Sequence, residues 1–247
     1  MGNQTSKLVD DVGPCKIKFH GVLGRGSFGE VFHSIQVETH EDTVAKRLIS
    51  PKNFNWKSND VHNAKREFEI IKSIGIHKNI DKVYDTIDLV EGNEFWIISE
   101  YCDLGDLNEY MKIYDVNESH KIQMMGHIAS GLAFLHGMDP IAIIHKDLKP
   151  SNTMLTLQDG KHVLKICDIG LLQIFSNISD LSLSQVVGTQ DYKAPEQFNK
   201  SNAYHSEKID VFAAGIMLHR MMQAEPGKSL EADDSAEPIG LTMWKTK

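Results

Sequence analysis

The sequence predicts an α+β chain in two lobes, strands first and helices later. Three observations carry this. Residues 16 to about 48 alternate and are rich in Val, Phe and Ile, the period-two pattern of strands. From about residue 118, Ile122, Met125, Ile128, Leu132 and Leu135 recur every three or four positions, the period of a helix. Strands grouped before helices point to segregated α+β architecture rather than an alternating α/β one. At 247 residues, 41% hydrophobic and 24% charged, the chain is long enough for one large domain or two small lobes.

The remaining elements follow in order. Residues 49–60 are polar and contain Pro51, which reads as a loop. Phe68, Ile71 and Ile74 have helical spacing, so a helix is predicted over 61–74. Strand-like pieces lie at 80–88 and 94–101, and short strands at 153–156 and 163–167. A Ser-rich stretch from 171 to 187 reads as an exposed loop, and 207–222 as an apolar helix.

The formal net charge is −8, so the chain has no basic footprint for nucleic acid. The three cysteines, Cys15, Cys102 and Cys167, show neither zinc spacing nor a disulfide framework, which fits a reducing, cytoplasmic setting. No apolar run reaches the roughly 18 residues that span a bilayer. Residues 1–15 read as a flexible N-terminus. Met1-Gly2-Asn3-Gln4-Thr5-Ser6 matches the N-myristoylation pattern, with a chance match as the bland alternative. Lipid on Gly2 would give weak membrane attachment, with K on the order of 10⁴ M⁻¹.

Gly24-Arg25-Gly26-Ser27-Phe28-Gly29 is a Gly-x-Gly-x-x-Gly motif. A dinucleotide site would open a helix here, whereas residues 30–37 read as a strand. A strand–glycine turn–strand hairpin can lay backbone over phosphates, because glycine permits close approach. On this motif alone an ordinary glycine hairpin is an equal reading. Lys46 follows within Thr43-Val44-Ala45-Lys46, a strand where an unpaired ammonium is costly to bury. Glu67 on the next helix is the favoured carboxylate partner, with Glu69 competing.

The strongest signal is His145-Lys146-Asp147-Leu148-Lys149-Pro150-Ser151-Asn152. Asp147 can accept the proton of an attacking hydroxyl, Lys149 can neutralise a transferring phosphoryl group, and Asn152 can hold a metal through its amide oxygen. Asp168-Ile169-Gly170 follows a strand, and an oxygen donor at a strand end suits Mg²⁺ beside phosphates. Gly188-Thr189 and Ala194-Pro195-Glu196 then come in order.

These ordered motifs resemble the eukaryotic-type protein kinase superfamily, serine/threonine type, from about Lys16 to Met222. The resemblance implies a bilobal protein-kinase-like fold over 16–223, with an N-lobe at 16–101 and a C-lobe at 102–223. It implies ATP and Mg²⁺ as cofactors and a protein substrate. Gly24, Gly26, Ser27 and Gly29 would cover the phosphates, and Lys46, paired with Glu67, would hold them. Glu100 to Cys102 would be the hinge that bonds adenine, sandwiched by Val31, Val44 and Met154. Asp147 would be the base, aided by Lys149, and Asn152 and Asp168 the magnesium ligands. Ile71, Val83, His145 and Ile169 would form an internal spine anchored by Asp210.

Some positions depart from the family pattern. Ile169 stands where phenylalanine is usual, and Lys146 where an arginine often grips a phosphorylated loop. After Met222 the family's further helices are not recognisable. Residues 224–247 read as a disordered acidic tail, and no arginine after Arg220 is available to Glu196. An unpaired buried charge costs roughly 3–5 kcal/mol, against a domain stability of about 5–15 kcal/mol. The expectation is an incomplete C-lobe, weakened or covered by a partner or chaperone. Two functions follow: an active kinase, or a nucleotide-binding pseudokinase or truncated isoform acting as an interaction module.

Overall fold

The computed structural model describes residues 16–26, 29–48, 69–89, 94–139, 142–169, 190–198 and 206–231. Gly2, Ser27, Glu67, the Ser-rich loop and the end of the chain beyond Glu231 lie outside them. The chain divides into two compact units. The first takes its described residues from Met1–Gly75 and Lys82–Tyr101, the second from Ile76–Asp81, Cys102–Leu172 and Val187–Lys247.

The first unit is a five-stranded antiparallel sheet: β1 (Ile17–Gly26), β2 (Gly29–Gln36), β3 (Asp42–Leu48), β4 (Val83–Leu89) and β5 (Glu94–Glu100). The spatial order is β1-β2-β3-β5-β4. Alternation puts Ile17, Ala45, Ile87, Trp96 and Ile98 on one face as a buried core, with Phe19, Phe32 and Tyr84 packed against it. Phe19 meets Phe32 edge-on, with ring centroids 5.5 Å apart. The opposite face is set by register. Val31 and Ile97 flank Lys46, and His33 and Ser99 flank Val44. The stretch expected to be helical over 61–74 is described from residue 69, with 69–73 helical and Ile71 buried.

The second unit holds α1 (Leu107–Ile113), α2 (Glu118–His136), the hairpin β6 (Thr153–Gln158) and β7 (Lys161–Ile166), and α3 (Lys208–Met222). Asp106 caps α1 by accepting from the Glu109 N–H, and Asn117 caps α2 by accepting from the His120 N–H. Asp159 (φ +50°) and Gly160 (φ +72°) form the hairpin turn, and paired positive φ values match the strands' right-handed twist. Met124, Ile128, Leu132 and Leu135 of α2 are buried, as are Leu148, Leu155, Leu164, Ile209 and Met217.

Of the apolar run read in α2, Ile128, Leu132 and Leu135 are buried and Ile122 is 60% exposed, while Met124 lies on the inward line. One expectation needs correction. Residues 224–231 are not a disordered tail. Gly227 N–H donates to the Lys112 carbonyl (2.9 Å), and Leu230 is 3% exposed. One buried leucine and a set of backbone hydrogen bonds outweigh the acidic composition that suggested disorder.

Candidate active site

The catalytic loop begins on a buried anchor. Asp210, near the start of α3, is 1% exposed. Its Oδ2 accepts from the His145 N–H (2.8 Å) and from His136 Nε2 (2.9 Å), and its Oδ1 accepts from the Lys146 N–H (2.9 Å). Burial alone would raise the Asp210 carboxyl, but the His136 hydrogen bond, His145 and the two backbone N–H groups outweigh it and hold it below the ordinary value. The backbone can then turn through Lys146, a left-handed residue with φ +69°. His145, itself buried, donates from Nε2 to the Cys167 carbonyl (2.8 Å), while its Nδ1 accepts from the Asp147 N–H (3.3 Å).

Asp147 and Asn152 are then joined side chain to loop. Asn152 Nδ2 donates to the Asp147 carbonyl (2.8 Å) and to its Oδ2 (3.0 Å). Both amide protons are engaged, so Oδ1 is the atom of Asn152 offered to a ligand. Lys149 Nζ lies 3.2 Å from Asp147 Oδ2, with side chains 13% and 12% exposed. Pro150–Asn152 form a short 3₁₀ turn that leads directly into β6. Cys167 N–H donates to the Asn152 carbonyl (3.0 Å), which brings Asp168, in left-handed conformation at φ +60°, beside that turn. Asp147, Lys149, Asn152 and Asp168 therefore belong to one neighbourhood. The carboxylate of Asp168 and the amide oxygen of Asn152 are the hard oxygen donors that suit Mg²⁺, which commonly takes one or two protein ligands and completes its shell with water and phosphate.

A pocket beside Asp147 is lined by Lys146, Leu148, Tyr192, Lys193 and Gln197 among others. Burial lowers the pKa of Lys193, Asp147 raises it and Lys149 lowers it, so its ammonium is held below the ordinary lysine range overall. Cys102 and Cys167 are both buried, so Cys167, just past the end of β7, has the setting of a small apolar residue.

In the sheet unit the glycine motif bridges β1 and β2, with Gly26 opposite Gly29 and Gly24 opposite Val31. Gly29 has φ +151°, and a Cβ there would stand 1.9 Å from the Arg47 carbonyl oxygen, so this position admits glycine only. The Arg47 carbonyl of β3 imposes this requirement. Val31, Val44 and Lys46 share the sheet face opposite the core. Glu100 Oε1 accepts from the Lys82 N–H (2.7 Å), and Cys102 is buried at the start of the second unit. Met154 lies half-buried on β6. The partner expected for Lys46, Glu67, lies outside the described residues, and Glu69 is exposed.

Sequence reasoning missed one cluster. Arg220 Nη2 pairs with Asp191 (2.9 Å), and its guanidinium sits 5.1 Å from the Tyr192 ring. Nothing in the sequence announces a contact between Arg220 and Asp191, 29 positions earlier. Glu196, for which a missing partner was expected to be costly, is only half-buried, so water shares its charge.

A bilobal α+β chain with this loop is the arrangement of a protein kinase, and the protein kinase domain family matches residues 17–239. The chain belongs to that family. Among its relatives, the serine/threonine-protein kinase atg1 of Dictyostelium discoideum is 31% identical over 208 residues, covering 83% of this chain and 30% of that protein. Serine/threonine-protein kinase tousled-like 2 of Mus musculus is 32% identical, covering 81% of this chain and 29% of that protein. Serine/threonine-protein kinase par-4 of Caenorhabditis briggsae is 27% identical, covering 83% and 31%. The chain thus spans about a third of the length of these relatives.

Proposed function

We propose that this chain is an ATP-dependent protein serine/threonine kinase that transfers the γ-phosphoryl group to a protein hydroxyl. The observation that supports it best is the two-point hold of the Asn152 amide on Asp147, which fixes a carboxylate where an acceptor hydroxyl can meet it. Asp147 orients the hydroxyl and takes its proton as the new P–O bond forms. Lys149, 3.2 Å away, sets a positive charge beside the same carboxylate, where negative charge moves during transfer. Asn152 Oδ1 and Asp168 are the ligands for Mg²⁺, which when bound neutralises phosphate charge. Lys46 holds the phosphates beneath the glycine hairpin of Gly24, Gly26, Ser27 and Gly29, in partnership with Glu67. The backbone at Glu100 and Cys102 bonds adenine, with Val31, Val44 and Met154 as its apolar walls. Little covalent help is asked of the protein, because positioning and charge supply most of the rate.

The test is phosphate transfer by the purified chain with Mg-ATP and a generic protein substrate, run beside Asp147→Asn. Transfer confined to the unsubstituted chain supports the reading. Equal transfer by both, or none by either, counts against it. Melting with and without Mg-ATP tests binding separately, since a binder gains stability by mass action. A melting shift without transfer would favour the interaction-module reading. Lipidation of Gly2, and membrane association of an otherwise cytoplasmic protein, is a further proposal, checked by the intact mass of the protein made in eukaryotic cells.

A further inference from the structure

Residues 224–231 leave the end of α3 and return to the catalytic loop. Three attachments hold them. Gly227 N–H reaches the carbonyl of Lys112 at the end of α1 (2.9 Å). Asn108 Oδ1, on α1, accepts from Ser229 Oγ (2.9 Å), the Leu230 N–H (2.8 Å) and, more weakly, the Glu231 N–H (3.4 Å). The Leu230 carbonyl accepts from Tyr192 Oη (2.7 Å) and Arg220 Nη1 (2.7 Å). With Leu230 buried, the strap's position is set on all sides, and Glu231 is delivered to a fixed place.

That place is the catalytic loop. Glu231 Oε1 accepts from the Ser151 N–H at 2.9 Å. Ser151 is the middle residue of the 3₁₀ turn between Lys149 and Asn152. Its neighbour Asn152 holds Asp147 by two hydrogen bonds. The loop is therefore pinned twice by distant carboxylates: at its start by Asp210 and at its end by Glu231. A carboxylate on a backbone N–H is a charge-assisted bond, stronger than a neutral one. Small displacements of a reacting group are costly to rate even when binding is intact.

We infer that Glu231, presented by the Asn108–Leu230 strap, is a positioning residue that holds the Ser151–Asn152 turn, and through it Asp147, in register for transfer. The inference rests on the kinase reading for its rate consequence, but not for its structural one. It touches no substrate itself.

The experiment compares Glu231→Ala, Glu231→Gln and, as a surface control, Lys228→Ala in the full chain, by residue-resolved amide exchange and by steady-state kinetics. Glutamine keeps an acceptor oxygen. Glu231→Ala is expected to speed exchange at Ser151 about tenfold and to lower kcat about tenfold, the size of one such hydrogen bond, with KM for ATP unchanged. Glu231→Gln is expected to recover most of both, and Lys228→Ala to change neither. Unchanged Ser151 exchange in Glu231→Ala overturns the inference, as does faster exchange with full kcat, or a rise in KM alone. Should the unsubstituted chain transfer no better than Asp147→Asn, the kinase reading fails on its own. Ser151 exchange then still decides whether Glu231 anchors the turn. Should Glu231→Ala not fold, the Gln variant decides: its neutral acceptor makes a weaker bond, so a modest rise in Ser151 exchange together with a modest fall in kcat upholds the anchor, and wild-type exchange, with or without slower transfer, overturns it.

Discussion

The sheet face around Lys46 and the catalytic loop around Asp147 hold their functional side chains by different means. On β3, Lys46 takes its face from strand alternation, and its neighbours Val31 and Ile97 follow from register. The information is local: a few residues of pattern specify which way each side chain points. The loop from His145 to Asn152 has no such regularity. It is fixed by Asp210, 65 positions from His145, and by Glu231, 80 positions from Ser151. The comparison teaches that a register-held site should fail by steric insult to the sheet, and a network-held site by loss of a single buried acceptor.

The largest expected effect is on the network-held side. Asp147→Asn removes the proton acceptor and should lower kcat by about 10²–10⁴, with the melting temperature nearly unchanged. A large fall in melting temperature would mean that Asp147 serves the fold rather than the chemistry.

Next in size is Asp210→Ala, which strips the acceptor from His136 and from two backbone N–H groups. Leaving such groups buried and unpaired should cost about 3–5 kcal/mol in urea unfolding. The pH dependence has a definite sign. The Asp210 carboxyl is held below its ordinary value of 3.8, so its stabilisation is complete above that pH and is lost as pH falls through the lower folded value. An earlier window belongs to His77, His120 and His127. Burial, first of all, holds each below 6.5, helped by Lys165, by His162, and by Lys78 with His120 respectively. Their neutral forms are favoured in the fold, so stability falls as pH drops below 6.5. Unfolding midpoints across pH should show both declines, with the lower one reduced in the Asp210 variant.

This contrast also explains what could be read from the sequence. The period-two runs gave the strands, the helical spacing gave α2 and α3, and the dense run His145 to Asn152 marked the loop, because each is a short-range pattern. Helical spacing does not say which apolar residue of α2 faces the core, and Met124 rather than Ile122 does. The order of residues 224–231 escapes the sequence for a related reason. Their order depends on Asn108, Tyr192 and Arg220, and a composition window sees only the prolines, glycines and acids nearby. Asp210 was legible only through family resemblance, and its three hydrogen bonds were not.

On the register-held side, Gly29→Ala tests the sheet. The added methyl meets the Arg47 carbonyl, and backbone cannot step aside as a flexible side chain can. At a φ of +151° the residue is also strained. A loss of about 1–3 kcal/mol is expected, with weaker Mg-ATP stabilisation in the same melts. Wild-type stability in this variant would show that β2 can shift against β3, and the claim that register alone places Lys46 would fall.

The smallest effect is expected on the outward face of α3. Asp210, Ala213 and Met217 point inward, while Val211, Leu218 and Met222 are exposed at 58%, 37% and 39%. A side chain already in water loses little when made polar, so Leu218→Lys and Val211→Lys should each shift the unfolding free energy by no more than about 0.5 kcal/mol. The two sites lie two helical turns apart, so their changes should simply add. A loss above about 1 kcal/mol in urea titration would mean that this apolar line is packed in solution. The division of α3 into one face committed to the catalytic loop and one facing water would then have to be redrawn.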